Sequence, residues 1–263
     1  MQIKALGCYG AELASTDASG IKTVYNTSGF LVNRSVIIDA GTISSSLSIE
    51  ELTELRHVLL SHIHFDHIKG LPFLADTVQG RISTPIQIHS IEEVLAGLHE
   101  HVLNDKVWPD FTRLPDPGRP TFRLMDLKEE VRRPVDGLEI IPVRVNHVIP
   151  TVGFILSDED GAVLYSGDTH ETRRIWEVAS KVTRLKAAII ETSFPNDMHE
   201  LAVQSGHLTP RLLAREFAKI GRPDIPLYVY HMKPQYMEQM TAEIRALKIP
   251  NVVLLKDGLT FNV

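Results

Sequence analysis

His57-Val58-Leu59-Leu60-Ser61-His62-Ile63-His64-Phe65-Asp66-His67 places four potential metal ligands, His62, His64, Asp66 and His67, within six positions directly behind an apolar run. The run reads as a buried strand, and the polar residues begin where it ends. Neutral imidazole and carboxylate suit zinc and its borderline neighbours manganese and iron. In an extended loop, residues two apart share a side, so His62 and His64 fit one ion. Asp66 and His67, where the chain turns toward a helix, are then free to face a second. A single histidine is ordinarily a solvated loop residue; four ligand-type residues at this density point to a metal centre.

Such a cluster needs partners, and other apolar runs supply them. His147 follows Leu138 to Val145, Asp168 follows Ala162-Val163-Leu164-Tyr165-Ser166-Gly167, and His231 follows Leu227-Tyr228-Val229-Tyr230. All three sit where a strand ends, and loops at strand ends of open α/β sheets converge on one crevice.

With these residues in place the chain resembles the metallo-β-lactamase fold of binuclear metallohydrolases. The resemblance rests on His62-x-His64-x-Asp66-His67, His147, Ser166-Gly167-Asp168-Thr169 and His231, and it runs over nearly the whole chain. It implies a four-layer αββα sandwich, an α/β architecture of two packed mixed sheets, with residues 1–263 as one domain. It also implies that His62, His64 and His147 hold a first metal, that Asp66, His67 and His231 hold a second, and that Asp168 bridges both. The implied cofactors are two divalent ions, zinc first, with manganese or iron as alternatives.

Ile190-Glu191-Thr192-Ser193-Phe194, Gly206-His207-Leu208-Thr209-Pro210 and Tyr230-His231-Met232-Lys233-Pro234 narrow the resemblance. Together with His64-Phe65-Asp66-His67-Ile68-Lys69-Gly70-Leu71-Pro72 they are similar to the class II cyclic-nucleotide phosphodiesterases. Ribonuclease Z shares the Glu, the His-x-Thr and the final His, and is the near rival. Against it stand the lack of a long basic arm and the Met232-Lys233-Pro234 ending in place of Arg-Tyr. The resemblance therefore implies hydrolysis of a 3′,5′-cyclic nucleotide to the 5′-monophosphate. The alternatives are a metallohydrolase of another phosphodiester or cyclic ester, and a nuclease that processes transfer-RNA 3′ ends. In the implied mechanism two metal ions activate a water, Asp66 orients it, and His207, held by Glu191, protonates the departing oxygen.

Composition fits a small substrate. The chain has 263 residues, 43% of them hydrophobic, enough for a sizeable core. A formal charge of −6 and an isoelectric point near 6.1 argue against a general nucleic-acid surface. Cys8 is the only cysteine, which excludes an intramolecular disulfide and reads as a small packed residue. No run approaches the roughly 18 apolar residues of a membrane span, and Met1 to Gly10 lacks the sustained apolar core of a signal peptide. A cytoplasmic protein without a membrane partner is the expectation, and a homodimer stays open.

The remaining sequence gives local expectations. Ile3–Gly7, Gly29–Val32, Val36–Ile38, Ala187–Ile190, Leu227–Tyr230 and Val252–Leu255 read as strands, and Ile175–Val182, Leu212–Ile220 and Met237–Leu247 as helices. Asp39, before Ala40-Gly41, is either an outer partner that orients a ligand histidine or a turn former. Ser90-Ile91-Glu92-Glu93 reads as a capping box opening a helix whose apolar stripe is Val94, Leu95, Leu98 and Val102. His99 and His101 on that helix cannot face the same way and read as solvated. Thr209-Pro210 starts a helix, Thr as cap and Pro at the first position, so Thr209 carries no assigned chemistry. From Asn104 to Arg123 periodicity stops and prolines accumulate around Trp108 and Phe111. The two readings are a rim whose aromatic rings stack on a purine and a packed surface loop or dimer contact. His207, at a loop mouth, is either a working side chain or a structural histidine; Glu191 is placed to fix its tautomer. His170, larger than the residue the resemblance implies beside Asp168, either reaches the substrate or covers the metals.

Overall fold

The computed structural model describes residues 1–16 and 19–263. Two seven-stranded sheets organise them. In spatial order the first comprises Phe122–Asp126, Ile86–Ser90, His57–Leu59, Val36–Ala40, Gly29–Val32, Gln2–Gly7 and Thr260–Asn262. The second comprises Arg133–Val135, Leu138–Arg144, Val152–Ser157, Ala162–Tyr165, Leu185–Glu191, Leu227–Tyr230 and Val252–Leu254. Each sheet is parallel over its three helix-connected pairings and antiparallel over the other three. A parallel pairing needs a crossover, and helices Ile49–Glu54, Gly70–Val78 and Glu92–His101 supply them in the first half. Arg174–Ala179, Pro210–Ala218 and Met237–Ala246 do so in the second.

Alternation along the second sheet explains the layering. Val163, Tyr165, Ala187, Ile189 and Tyr230 point into a core shared with the first sheet, which holds Phe30, Ile37 and Ile38. Leu164, Ala188, Ile190 and Val229, one residue out of phase, pack instead with Ile175, Trp176, Leu212, Leu213 and Ile244 of the second half's helices. Helix, sheet, sheet, helix follows, which is the αββα sandwich expected from the sequence. Phe30 joins the sheets: its ring lies edge-on to Tyr165 at 5.6 Å and to Tyr230 at 5.5 Å. On the outer side Glu216, fully buried, accepts from the Trp176 indole at 2.5 Å and from Thr172 N at 3.0 Å, tying helix 210–218 to the loop before helix 174–179.

Three local expectations are corrected. No capping box forms at Ser90, because Ser90 is still part of a parallel strand and its hydroxyl donates to Leu60 O at 2.5 Å, leaving Ile91 at the cap without a side-chain bond. The capping box that does form is Ser48 with Glu51. The irregular segment is shorter than expected, since Phe122–Asp126 joins the sheet edge and 115–116 pairs with 119–120. Its anchor is Asp110, which accepts from Thr112 N at 3.0 Å and Arg113 Nε at 2.7 Å and meets the half-exposed His99 ring at 3.2 Å. Phe111 is 2% exposed against Phe122, so it is a core anchor and not a stacking platform. Trp108 packs edge-on against Phe73 with its indole nitrogen buried. Thr209 does occupy the helix cap with Pro210 following, though its hydroxyl makes no capping bond. Among the described residues no helix is long and apolar enough to cross a membrane.

If Phe30 carries the inter-sheet packing, Phe30→Ala should lower unfolding free energy by about 3 to 5 kcal/mol. Urea denaturation measures this, and a loss under about 1 kcal/mol would show that the two tyrosines pack without it.

Candidate metal centre

Six strand ends deliver the site, that of strand 138–144 carrying His147. His62 follows strand 57–59, Asp39 lies at the end of the neighbouring strand 36–40, Asp168 follows 162–165, Glu191 ends 185–191 and His231 follows 227–230. Asp39 adopts φ 54° and His231 φ 67°, both in the left-handed region that non-glycine residues occupy at a cost. Close backbone approach is built in beside each. A Cβ on Gly41 would collide with the Asp66 carbonyl, and one on Gly10 would lie 2.6 Å from the His231 carbonyl.

The hydrogen bonds of the candidate ligand histidines fix which ring nitrogen faces inward. His67 Nδ1 donates to Asp39 Oδ2 at 2.8 Å, His147 Nδ1 to Gly206 O at 2.9 Å and His231 Nδ1 to Ser193 Oγ at 2.8 Å, while Ser193 itself donates to Glu191 Oε2. His62 Nδ1 is 2.9 Å from Ser61 Oγ. Each Nε2 is thereby left to the interior with its lone pair available. His67 Nε2 and His231 Nε2 each lie 3.3 Å from Asp168 Oδ2, and His62 Nε2 lies 3.7 Å from it. His147 Nε2 is 3.1 Å from His64 Nδ1, and His231 Nε2 is 3.2 Å from Asp66 Oδ2.

Three groups of ligand atoms within 4.8 Å of one another result among the described residues: His62, His64, His147 and Asp168; Asp66, His67 and His231; and Asp168, His207 and His231. The first two groups contain the residues that the resemblance assigns to two ions, and Asp168 Oδ2 lies 3.3 Å from both His67 Nε2 and His231 Nε2. The donor set fits cations on a second ground. His62 Nε2 and Asp168 Oδ1 are buried with no hydrogen-bond partner, a costly condition for polar atoms unless they coordinate something. Charge agrees. Burial opposes a charge on His67, yet Asp168, Asp39 and Asp66 outweigh it and raise its pKa well above an ordinary imidazole's, a sign of concentrated negative charge. Burial, then His147, lowers that of His64 to about 4, which keeps its nitrogen free of a proton at neutral pH.

Asp39 serves both roles left open for it. It stands in the turn, and it accepts from Ser61 N at 2.7 Å, Ser61 Oγ at 2.8 Å, His67 Nδ1 and Tyr165 OH at 2.6 Å. The hydroxyls of Ser61, Ser193 and Tyr165 were not singled out in the sequence; Ser61 beside His62 and Ser193 two positions past Glu191 were the available signals. His207 is brought to the cluster: its Nδ1 donates to Glu191 Oε1 at 2.9 Å, and His207, Asp168 and His231 also present ligand atoms within 4.8 Å. Glu191 is fully buried and accepts further from Thr169 N at 3.1 Å and Leu208 N at 3.3 Å. Burial, then the Asp168 charge, pushes its pKa up to about 8. His170 turns its Nδ1 to the His207 carbonyl at 2.8 Å. Trp108 and Phe111 are held by the packing described above.

If Asp39 orients His67 and, through Ser61, His62, then Asp39→Asn should weaken cation binding by about 10-fold to 100-fold. Competition against a coloured chelator measures this, and unchanged affinity would reduce Asp39 to a turn residue.

Comparison with known proteins agrees with this architecture. A ribonuclease Z from Archaeoglobus fulgidus is 21% identical over 265 residues, covering 80% of this chain and 81% of that protein. The 3′,5′-cyclic-nucleotide phosphodiesterase 1 of Saccharomyces cerevisiae is 23% identical over 185 residues, covering 62% of this chain and half the length of the yeast protein. The crystal structure of unliganded yeast PDE1 matches with a TM-score of 0.80 at 18% identity, over 98% of both chains, a likeness of fold. The profile of the Beta-lactamase superfamily domain matches residues 34–252, and with that span, the paired sheets and the metal-fit His/Asp cluster the chain belongs to the β-lactamase superfamily and has the metallo-β-lactamase fold.

Proposed function

We propose that this hydrolase is a binuclear metal-dependent phosphodiesterase that opens 3′,5′-cyclic nucleotides to nucleoside 5′-monophosphates. The observation that carries the reading is the His207–Glu191 pair set against Asp168 and His231. A phosphodiester with an alkoxide leaving group needs such a proton donor, because the alkoxide departs poorly as an anion. His62, His64, His147 and Asp168 would hold one divalent ion, and Asp66, His67, His231 and Asp168 the other, with zinc the leading candidate. Bound there, the ions supply Lewis acidity toward a water and the phosphoryl oxygens.

The chain's own groups do the rest. Asp66, with a side chain 27% exposed, is the accessible carboxylate of the cluster; it orients the attacking water and takes its proton. Attack at phosphorus breaks the P–O3′ bond. His207 delivers a proton from Nε2 to O3′, while Glu191 Oε1 accepts from Nδ1 and fixes the ring's tautomer and aim. Burial above all lowers the His207 pKa, which makes the protonated ring the stronger donor. A small substrate accords with the net charge of −6, since a polyanion would require many basic contacts. The second reading is a ribonuclease Z-like nuclease, favoured by the greater share of the chain over which that likeness extends.

One metal-loaded preparation, assayed on cyclic AMP, cyclic GMP, bis-(p-nitrophenyl) phosphate and precursor transfer RNA, separates these readings. The expected products are 5′-monophosphates, with the RNA a poor substrate; efficient RNA cleavage with inertness toward both cyclic nucleotides would establish the nuclease instead. His207→Ala should retain its metals and lose about 100-fold to 10,000-fold on a cyclic nucleotide, but far less on the nitrophenyl ester, whose leaving group needs no acid. Glu191→Gln should show a weaker form of the same pattern. Equal losses on both substrates would remove His207 from the acid role.

A further inference from the structure

The turn that presents His207 is gripped by two histidine rings. His147 Nδ1 takes the Gly206 carbonyl at 2.9 Å, and His170 Nδ1 takes the next carbonyl, that of His207 itself, at 2.8 Å. His207 N donates to Ala202 O at 2.8 Å, and its ring donates to Glu191. The main chain of His207 is thus held on both sides and its ring at Nδ1, leaving Nε2 as the only polar atom not committed to holding the residue in place.

His170 is itself rigidly mounted. Its amide donates to Asn146 O at 2.7 Å, and Asn146 Nδ2 donates to Glu171 O at 3.0 Å, which ties it to the segment carrying His147. Two residues on, Thr172 N bonds to the buried Glu216 carboxylate on helix 210–218, the helix that begins directly after His207-Leu208. Asp168 and Thr169 precede it, and Thr169 N donates to Glu191 Oε1. The Asp168–Thr172 loop therefore reaches His207 in two ways: through Thr169, which donates to Glu191, and through His170, which donates to the His207 carbonyl.

We propose that His170 is a positioning residue for the proton donor His207, acting through the His207 carbonyl. This rests on the acid role proposed for His207. Without the His170 bond the carbonyl has no fixed partner, the 206–208 turn gains freedom, and Nε2 loses its aim at the leaving oxygen. A misplacement of about 1 Å in a positioned group costs on the order of 100-fold.

Two variants and two readouts test it. His170→Ala removes the donor, whereas His170→Asn restores one, because an asparagine amide nitrogen stands the same number of bonds from Cα as His Nδ1. His170→Ala should lose about 10-fold to 100-fold in kcat on a cyclic nucleotide, with little change in KM, in metal content or in turnover of bis-(p-nitrophenyl) phosphate. His170→Asn should recover most of that loss. In the histidine-labelled protein, the His207 ring Nδ1–H resonance, sharp in the parent and in His170→Asn, should broaden or shift in His170→Ala. Equal losses on both substrates, no recovery in His170→Asn, or an unmoved His207 resonance in His170→Ala would each overturn the proposal. Failure of the acid reading looks different: His207→Ala would then show no leaving-group dependence, while the resonance still reports whether His170 holds the turn.

Discussion

The Asp39 carboxylate is the constraint on which the site depends. It ends a strand of the first sheet, yet it accepts a bond at 2.6 Å from Tyr165 OH in the second. The same two oxygens take Ser61 N, Ser61 Oγ and His67 Nδ1. One buried charge thus couples the packing of the two sheets to the orientation of His67 directly and His62 through Ser61. Burying a carboxylate is expensive unless its lone pairs are filled. Here all the filling donors come from the ligand loop or from the facing sheet, so the carboxylate is satisfied only when sheets and loop are assembled together. The left-handed backbone at Asp39, and the need for glycine at position 41 under the Asp66 carbonyl, are the local strain this arrangement carries.

Around that anchor, topology concentrates chemistry at one edge. The ends of parallel strands at Leu59, Tyr165, Glu191 and Tyr230 all feed the cluster: His62, Asp168 and His231 follow three of them within a few residues, and Glu191, which ends the fourth, holds the His207 ring. The burial that would penalise so many polar groups is offset pairwise: Ser61 serves Asp39 and approaches His62, Ser193 joins Glu191 to His231, and Gly206 O receives His147. What these bonds leave over is His62 Nε2 and Asp168 Oδ1, buried and directed where a cation would satisfy them. Glu191 accepts from the His207 ring, which faces the cluster from the other side.

The parts of this site legible in the sequence were those whose chemistry is dense or placed by periodicity. His62, His64, Asp66 and His67 announce themselves by spacing, and His147, Asp168 and His231 by following apolar runs. Glu191 and His207 were paired through motif resemblance and are bonded in the structure. Hydroxyl groups were invisible, because Ser61, Ser193 and Tyr165 have no periodicity that separates an orienting role from an ordinary one. Ser90 misled, since a Ser-x-x-Glu signature says nothing about whether the serine is still inside a parallel strand. Phe111 misled for a different reason: a proline-rich stretch conceals whether an aromatic residue faces solvent or core, and Phe122, on a strand the prolines obscured, is what draws it inward.

The proposed chemistry depends on two ligand sets that share Asp168. Metal stoichiometry by elemental mass spectrometry on the purified, zinc-reconstituted protein and on Asp168→Ala tests it most directly. Two ions per chain in the parent, and fewer than two in Asp168→Ala at retained fold, is the predicted result; a single ion in the parent, or two retained in the variant, would contradict it.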